Sequence, residues 1–184
     1  MFGNWFKGKL DFEGIVREHR DDELEIYGCG KDAPSMASVK AFEEQMGVNL
    51  PQDFRSFSCS PVGGVYIAVK EAIWPRPKLL DVAPLWSFLY GFFTYGFGNN
   101  MPEWMDIRLA TPKFREKTKS EYVPCLKLLG QPNVYCFDES AKVRLWHRKT
   151  NEMAPVQKSF TEIFTQELIE LKARKERKKT EKKS

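Results

Sequence analysis

Few of the residue types that carry catalysis or hold metal ions occur in this chain of 184 residues. There are two histidines, His19 and His147. The four cysteines are Cys29, Cys59, Cys125 and Cys136. A zinc site needs clustered ligands, typically with a Cys-x-x-Cys pair, and no two of these cysteines have that spacing. We therefore expect neither a metal site nor a cofactor.

Sequence motifs for catalysis are missing as well. The chain contains no Gly-x-Ser-x-Gly, P-loop, His-Glu-x-x-His or dinucleotide-binding pattern. Gly63-Gly64 is too short to cradle a phosphate and more simply permits a positive φ at a turn. Cys125 and Cys136 lie in apolar runs, where cysteine behaves as a small buried hydrophobic residue. The sequence therefore predicts a protein without enzymatic activity.

Acidic and aromatic side chains are better candidates for a function, as contacts to a protein partner. Six acidic residues could face the basic surface of a protein that binds nucleic acid, or could simply be solvated. They are Asp21, Asp22, Glu23, Glu25, Glu103 and Asp106. Four aromatic residues could anchor a partner, as Trp and Tyr do in many interfaces, or could belong to the core. They are Trp86, Tyr90, Tyr95 and Trp104.

The net charge of +4 originates at the C-terminal end of the chain. Residues 172–184 contain eight basic and two acidic residues, so the other 171 residues carry a net charge of −2. This distribution argues against a globally basic nucleic-acid-binding domain. The basic segment itself either attracts nucleic acid or anionic lipid, or is a solvated helix end that aids solubility.

The composition, with 42% hydrophobic and 14% aromatic residues, supplies enough apolar surface for one compact domain. It excludes a disordered chain and a disulfide-dense miniprotein. The first ten residues lack the apolar run of a secretion signal, so we expect a cytoplasmic protein with reduced thiols. The 21 uncharged residues between Asp81 and Glu103 include two prolines and three glycines, which favours a buried segment over a membrane span.

Two short helices joined by a tight corner are predicted after the first 31 residues. The first begins after a capping residue, either Asp32 or Ser35, and ends at Gly47. Its apolar stripe consists of Val39, Phe42 and Met46. Leu50-Pro51 then starts the second helix, because a proline in the first turn removes no hydrogen bond.

Runs of β-branched and aromatic residues predict strands further along the chain. Residues 64–69 and 79–85 have this composition, and residues 86–97 form either a bulged strand or an irregular buried segment. Three more strands, over residues 123–129, 133–138 and 143–148, predict an antiparallel meander.

Two further helices are predicted in the second half of the chain. One opens at Pro102 and is interrupted at Pro112. The other begins with a capping box formed by Ser159 and Glu162. Its apolar stripe stops at Leu171, beyond which we expect the helix to fray. The predicted organisation is an irregular lead-in over 1–31, an α+β domain over 32–171 and a basic tail over 172–184.

The order of these elements resembles the SUKH superfamily, which includes fungal cell-wall (glucan) synthesis regulators and bacterial immunity proteins. The resemblance lies in AFEEQMGVNLPQDFRSF and the Gly-Gly turn that follows it, and it extends over roughly residues 35–171. The matching positions are Phe42, Glu43, Gly47, Leu50, Pro51, Asp53, Phe54, Phe57, Gly63 and Gly64. The family often has Asn before the two glycines, where this chain has Val62.

The resemblance implies a single α+β domain with a mixed, mostly antiparallel sheet flanked by helices and a C-terminal helix. It also implies a protein-binding role. Bacterial members are similar to antidotes that neutralise a toxin, often a nuclease or a deaminase. The expected function is therefore that of a non-enzymatic immunity protein for a cognate toxin. Two alternatives remain open, namely a regulatory or scaffolding module and nucleic-acid association through the basic tail.

Overall fold

The computed structural model describes residues 11–77 and 85–181, which form five helices and seven strands. The helices are α1 (Phe12–His19), α2 (Met36–Met46), α3 (Gln52–Ser58), α4 (Ile107–Thr118) and α5 (Phe160–Glu181). The strands are β1 (Leu24–Tyr27), β2 (Tyr66–Val69), β3 (Gly91–Thr94), β4 (Val123–Leu128), β5 (Val134–Phe137), β6 (Val143–His147) and β7 (Glu152–Pro155). Two 3₁₀ turns, Gly30–Asp32 and Leu85–Phe88, complete the described elements.

All seven strands belong to one antiparallel sheet whose spatial order is the chain order β1 to β7. Each strand pairs with the next one along the chain, so every connection is between neighbours. One row of opposed residues runs from Tyr27 through Tyr66 and Phe93 to Lys127. The predicted α+β fold with a mostly antiparallel sheet and a C-terminal helix is confirmed.

Several predicted boundaries differ from the structure. Residues 79–84 of one predicted strand lie outside the described residues, and Leu85 belongs to a 3₁₀ turn. The aromatic segment 86–97 contains only the four-residue strand β3. Helix α4 begins at Ile107, where Asp106 caps it, and continues through the exposed Pro112. The sequence pattern gave no sign of β7.

The core on the first face of the sheet is a cluster of phenylalanines from three helices. Phe12 of α1 lies 5.1 Å from Phe57 of α3, between ring centroids. Phe54 of α3 lies 4.9 Å from Phe160 of α5, and Phe57 lies 5.2 Å from Phe164. All five rings are buried. Because edge-to-face aromatic contacts add to the gain from burial, this cluster fixes α1, α3 and α5 on one side of the sheet.

The second face is covered unevenly. Adjacent residues of β3 point to opposite sides, so Phe92 contacts Phe164 of α5 while Phe93 points to the second face. Helix α4 covers β4 to β6 there, with Phe114 and Trp146 in edge-to-face contact at 5.4 Å. Among the described residues, no helix makes a comparable ring contact with β1, β2 or β3 on this face.

The corner between α2 and α3 is built by the residues that resemble the family motif. Gly47 ends α2 with a φ of 65°, as a left-handed cap. The buried carboxylate of Glu43 accepts hydrogen bonds from the backbone N–H of Leu50 at 2.6 Å and from Nε of Arg55 at 2.9 Å. Charge-assisted bonds of this kind are strong, and they hold the two helices at a fixed angle.

Asp53 joins the corner to the C-terminal helix. Its Oδ2 accepts hydrogen bonds from the backbone N–H and from Oγ1 of Thr161, both at 3.0 Å. A carboxylate from α3 therefore satisfies a free donor at the N-terminus of α5. The predicted capping box is also confirmed, since Ser159 N–H donates to Glu162 at 2.7 Å and Glu162 N–H to Ser159 at 3.3 Å.

The Gly63-Gly64 turn needs glycine for two different reasons. Gly64 has a φ of 60°, as the sequence predicts. Gly63 does not belong to the residues with positive φ, but a Cβ there would lie 2.5 Å from the carbonyl oxygen of Ser58 and 2.9 Å from that of Phe57. The close approach of two backbone segments, rather than an unusual dihedral angle, thus requires glycine at position 63.

The C-terminal helix does not fray at Leu171, so that expectation is wrong. Helix α5 continues to Glu181, and Nζ of Lys175 lies 2.6 Å from Oδ2 of Asp21 and 2.6 Å from Oε2 of Glu23. Nζ of Lys179 lies 2.8 Å from Oε1 of Glu23. We call these four residues the ionic clamp. Beyond Leu171 the apolar stripe gives way to ion pairs, and the spacing of apolar residues carries no signal for these.

The first residues of the described chain are likewise part of the domain, not an irregular lead-in. Phe12 is buried in the phenylalanine cluster, and β1 forms an edge of the sheet. The clamp ties this edge to the last turns of α5, and Arg174 adds a hydrogen bond from Nε to the carbonyl oxygen of Leu89 at 3.2 Å. The N-terminal and C-terminal parts of the described chain are therefore joined by these ion pairs.

We predict that Gly63→Ala destabilises the protein more than Gly47→Ala. At Gly47 the new methyl group meets nothing within 4 Å, so only the dihedral cost of about 1 kcal/mol applies. At Gly63 it meets two carbonyl oxygens that cannot move independently, and we expect a loss of about 3 kcal/mol. Urea unfolding of both variants measures this difference. Equal losses would contradict the close-approach explanation.

We predict a pH-dependent contribution of the ionic clamp to stability. Hydrogen bonds from Lys175 and Lys179 lower the pKa of Glu23 from 4.5 to about 2 in the folded protein. The carboxylate therefore stabilises the fold fully above pH 4.5, and this contribution is lost as the pH falls toward 2. Glu23→Gln should lower the free energy of unfolding at neutral pH, with a difference from wild type that vanishes toward pH 2.

The matched control is Glu25→Gln, two residues further along the chain on β1. Glu25 makes no ion pair with any residue in the described part of the chain. Urea midpoints measured from about pH 7 to pH 2 should therefore show the pH-dependent difference for Glu23→Gln alone. A difference that stays constant across this range would show that the clamp does not stabilise the fold through charge.

Candidate protein-binding face

Three aromatic side chains are grouped on the part of the second sheet face that α4 does not cover. Tyr27 of β1 lies opposite Tyr66 of β2, with ring centroids 6.3 Å apart. The ring of Trp104 stands nearly perpendicular to that of Tyr66, at 6.4 Å. Tyr27 is 63% exposed and Trp104 52%. We call Tyr27, Tyr66 and Trp104 the aromatic face.

Trp104 is held in place by the segment that connects β3 to α4. Its ring contacts Phe93 edge-to-face at 4.8 Å. The backbone on either side is fixed, because Gly96 N–H donates to the carbonyl of Met105 at 3.0 Å and Ile107 N–H donates to that of Gly96 at 2.8 Å. An exposed tryptophan with a fixed backbone and one supported edge loses little conformational freedom on binding.

A cleft of about 400 Å³ lies beside the aromatic face. It is lined by Tyr27, Gly28, Cys29, Asp32, Gly64, Tyr66, Gly98, Asn100, Met101, Pro102, Trp104 and Met105. The backbones of Gly64, which lines the cleft, and Gly96 approach closely, so a Cβ on Gly64 would lie 3.2 Å from Cα of Gly96 and would collide with Met101. The second motif glycine thus leaves room for the cleft as well as for the turn.

Among the described residues that line this cleft, Asp32 carries the one charged side chain. Asp32, at the end of a 3₁₀ turn, is exposed, and its Oδ2 accepts a hydrogen bond from Nδ2 of Asn100 at 2.8 Å. Two more acids lie nearby. Glu25 is two residues before Tyr27 on β1, and exposed Glu103 precedes Trp104. Three acidic residues therefore stand close to the aromatic face along the chain, and one of them lines the cleft.

A cation already stacks on a ring next to the aromatic face. The guanidinium of Arg76 lies 3.8 Å from the centre of the Tyr90 ring. Its Nη2 donates to the carbonyl of Val69 at 2.7 Å and its Nη1 to that of Trp74 at 2.9 Å, so it is fixed. Burial raises the pKa of Tyr66; the proximity of Tyr90 and Glu25 raises it further, and Arg76 acts in the opposite direction.

The acidic residues that the sequence analysis proposed as partner contacts fall into two groups, those engaged within the chain and those that are accessible. Asp21 and Glu23 are engaged in the ionic clamp and do not face a partner. Asp22 is exposed beside them. Asp106 is buried, because it caps α4 and pairs with Arg108, whose Nη2 lies 2.8 Å from its Oδ2. Glu25 and Glu103 remain accessible, as described above.

The aromatic candidates divide in the same way. Tyr95 is buried, and burial raises its pKa, so it belongs to the core and is not an anchor. Tyr90 is half-buried beneath Arg76, and Trp104 is exposed. The side chain of Trp86 lies outside the described residues. Most described aromatic residues of segment 86–97 therefore belong to the core, since Phe92, Phe93 and Phe97 are also buried.

Sequence reasoning missed Tyr27 and Tyr66 as members of the face. Both stand in strands whose alternation shows that neighbouring residues point to opposite sides. That pattern could have placed the two tyrosines on one face, but it does not show that no helix covers them. Their exposure depends on where α4 packs, which is a tertiary property.

Of the four cysteines, Cys29 lines this cleft. Burial raises the pKa of its thiol, and its Sγ donates to the carbonyl of Ser60 at 3.2 Å. Cys125 and Cys136 are buried, and burial raises the pKa of both. Across residues 11–77 and 85–181, no group of three or more His, Cys, Asp or Glu side chains is arranged to hold a metal ion.

No helix within the described ranges is both long enough and apolar enough to cross a membrane. The buried position of β3 agrees with the prediction that the uncharged aromatic stretch is core.

Comparison with known proteins adds the family to this picture. The SMI1 / KNR4 family (SUKH-1) matches residues 33–166. No curated protein matches the chain. The matched range includes every motif position discussed above. Four of these residues, Phe42, Leu50, Phe54 and Phe57, belong to the core, and Pro51 lies at the start of α3. Gly47, Gly63 and Gly64 lie at turns, and Glu43 and Asp53 accept hydrogen bonds. The chain belongs to the SMI1 / KNR4 family (SUKH-1).

Proposed function

We propose that this chain is a non-enzymatic immunity protein that binds a cognate toxin through the aromatic face and its cleft. The observation that carries the proposal is the exposure of two large aromatic side chains, Tyr27 and Trp104, where α4 does not cover the sheet. Family membership supports a protein-binding role. The resemblance to the SUKH superfamily, which includes bacterial immunity proteins, supports a toxin as the partner.

The exposed rings of the aromatic face favour binding to a partner that covers them. Large aromatic side chains in water lose the gain that burial provides, and in interfaces they form the residues with the largest effect on affinity. Tyr66 and Trp104 hold each other and Trp104 is backed by Phe93, so the face is organised before a partner arrives. A standard interface of about 800 Å² per partner would cover the aromatic face, the cleft and the acids around them.

The acids around the aromatic face support a basic partner. Asp32 lines the cleft, and Glu25 and Glu103 lie within two residues of Tyr27 and Trp104 along the chain, so these carboxylates add negative charge near the aromatic face. A toxin that acts on nucleic acid carries a basic surface where it binds phosphates. Occupation of that surface by these acids would speed association and block the substrate site in one step.

The alternative of nucleic-acid binding through the basic tail loses support from the clamp. Lys175 and Lys179 are paired with acids of the same chain and would have to leave them to contact phosphates. A scaffolding or regulatory role would use the same aromatic face. The identity of the partner, a toxin or an endogenous regulator, distinguishes that role from immunity.

We predict that Trp104→Ala lowers the affinity for the partner by about tenfold or more. The matched control is Ile169→Ala, because Ile169 is also 52% exposed but lies on α5. The control should leave affinity within about twofold of wild type. The partner to use is the polypeptide that co-purifies with the full chain from its native cell, once expressed and purified alone, with calorimetry as the readout.

Two further measurements complete the test. Tyr27→Ala should weaken binding in the same direction, and thermal melts show whether each variant is folded. Co-expression of the partner with wild type should restore growth if the partner is a toxin, whereas Trp104→Ala should not. Equal affinities for wild type, Trp104→Ala and Tyr27→Ala would exclude the aromatic face as the binding surface. A non-toxic partner bound through the face would exclude the immunity function.

A further inference from the structure

We infer that the cleft beside the aromatic face receives an arginine side chain of the partner protein. This inference rests on the proposed protein-binding function and specifies the chemistry of its central contact. It is carried by the combination of aromatic walls, a carboxylate at the rim and the lack of any basic residue among the described residues that line the cleft.

The walls suit a planar cation. The rings of Tyr27 and Tyr66 are inclined by 41°, and that of Trp104 stands at 79° to Tyr66, so the three rings border the cleft from different directions. A cation next to the face of such a ring is attracted by its quadrupole, and tryptophan gives the strongest effect. Met101 and Met105 supply polarizable sulfur on the remaining sides.

The carboxylate of Asp32 completes the site. Its Oδ2 accepts a hydrogen bond from Asn100, which orients the group, while Oδ1 accepts none from the described residues. A carboxylate has room for several donors, and a guanidinium can offer two parallel N–H groups to it. The aromatic walls and the free oxygen together match the two properties of arginine, a flat apolar face and a fork of donors.

One guanidinium near Tyr66 already stacks on a tyrosine ring. Arg76 lies over Tyr90 at 3.8 Å, close to Tyr66. Two backbone carbonyls fix Arg76 in that position, so it does not fill the cleft itself. Stacking of an arginine on a ring is therefore compatible with this surface, and a lysine would lack the planar contact.

The test uses small probes, so it does not depend on knowing the partner. The probes are N-acetyl-arginine methylamide, N-acetyl-lysine methylamide and the uncharged N-acetyl-norleucine methylamide. NMR follows the indole N–H signal of Trp104, which is assigned by its loss in Trp104→Phe. We expect the arginine probe to shift this signal with an affinity about fivefold or more above that of the norleucine probe, and above that of the lysine probe.

Two variants locate the charge that the probe recognises. Asp32→Asn keeps the shape of the side chain and should weaken the arginine probe about threefold or more, without changing the norleucine probe. The control Asp22→Asn removes an exposed charge outside the cleft and should change neither.

The outcomes separate this inference from the proposed function. A norleucine probe that binds as well as the arginine probe would overturn the inference, as would a Trp104 signal that no probe moves or an unchanged affinity in Asp32→Asn. None of these results affects the partner-binding comparison of Trp104→Ala with Ile169→Ala. Conversely, arginine binding in the cleft together with equal partner affinities would refute the proposed function and leave the cleft as a cation site.

Discussion

The packing of α1, α3 and α5 through one phenylalanine cluster is the constraint on which the rest of this structure depends. Phe57 contacts rings from both of the other helices, so the three helices share one face of the sheet. On the other face α4 lies over β4 to β6, and the side of β1 and β2 that carries Tyr27 and Tyr66 stays accessible. The exposure of the aromatic face thus follows from the positions that the helices take on the two sides of the sheet.

The ionic clamp gives the basic end of the chain a structural role. Lys175, with a side chain that is only 4% exposed, contacts two acids near β1. Burial opposes the charge of this lysine, but the hydrogen bonds to Asp21 and Glu23 outweigh it and raise its pKa. Because β1 carries Tyr27 at its other end, the clamp also holds the edge of the sheet from which the aromatic face is built.

Local signals predicted much of this fold. Gly47 and the Ser159–Glu162 capping box mark helix ends through contacts within a few residues, and the sequence pattern found both. Contacts between distant residues were not visible, which is why the clamp and the cap of Asp53 on Thr161 were missed. The same distinction between local signals and distant contacts applies to the candidate binding residues. Trp104 was a candidate from its residue type, whereas Tyr95 and Asp106 proved buried once the chain was folded.

Partner binding is proposed for the aromatic face, formed by Tyr27, Tyr66 and Trp104. Hydroxyl-radical footprinting of the complex isolated from the native cell tests it most directly, because Trp, Tyr and Met side chains are all reporters. We predict that oxidation of Tyr27 and Trp104 falls in the complex relative to the free protein, while that of Met36, exposed on α2, stays unchanged. Protection of Met36 or of α5 with no change at Tyr27 and Trp104 would contradict the account.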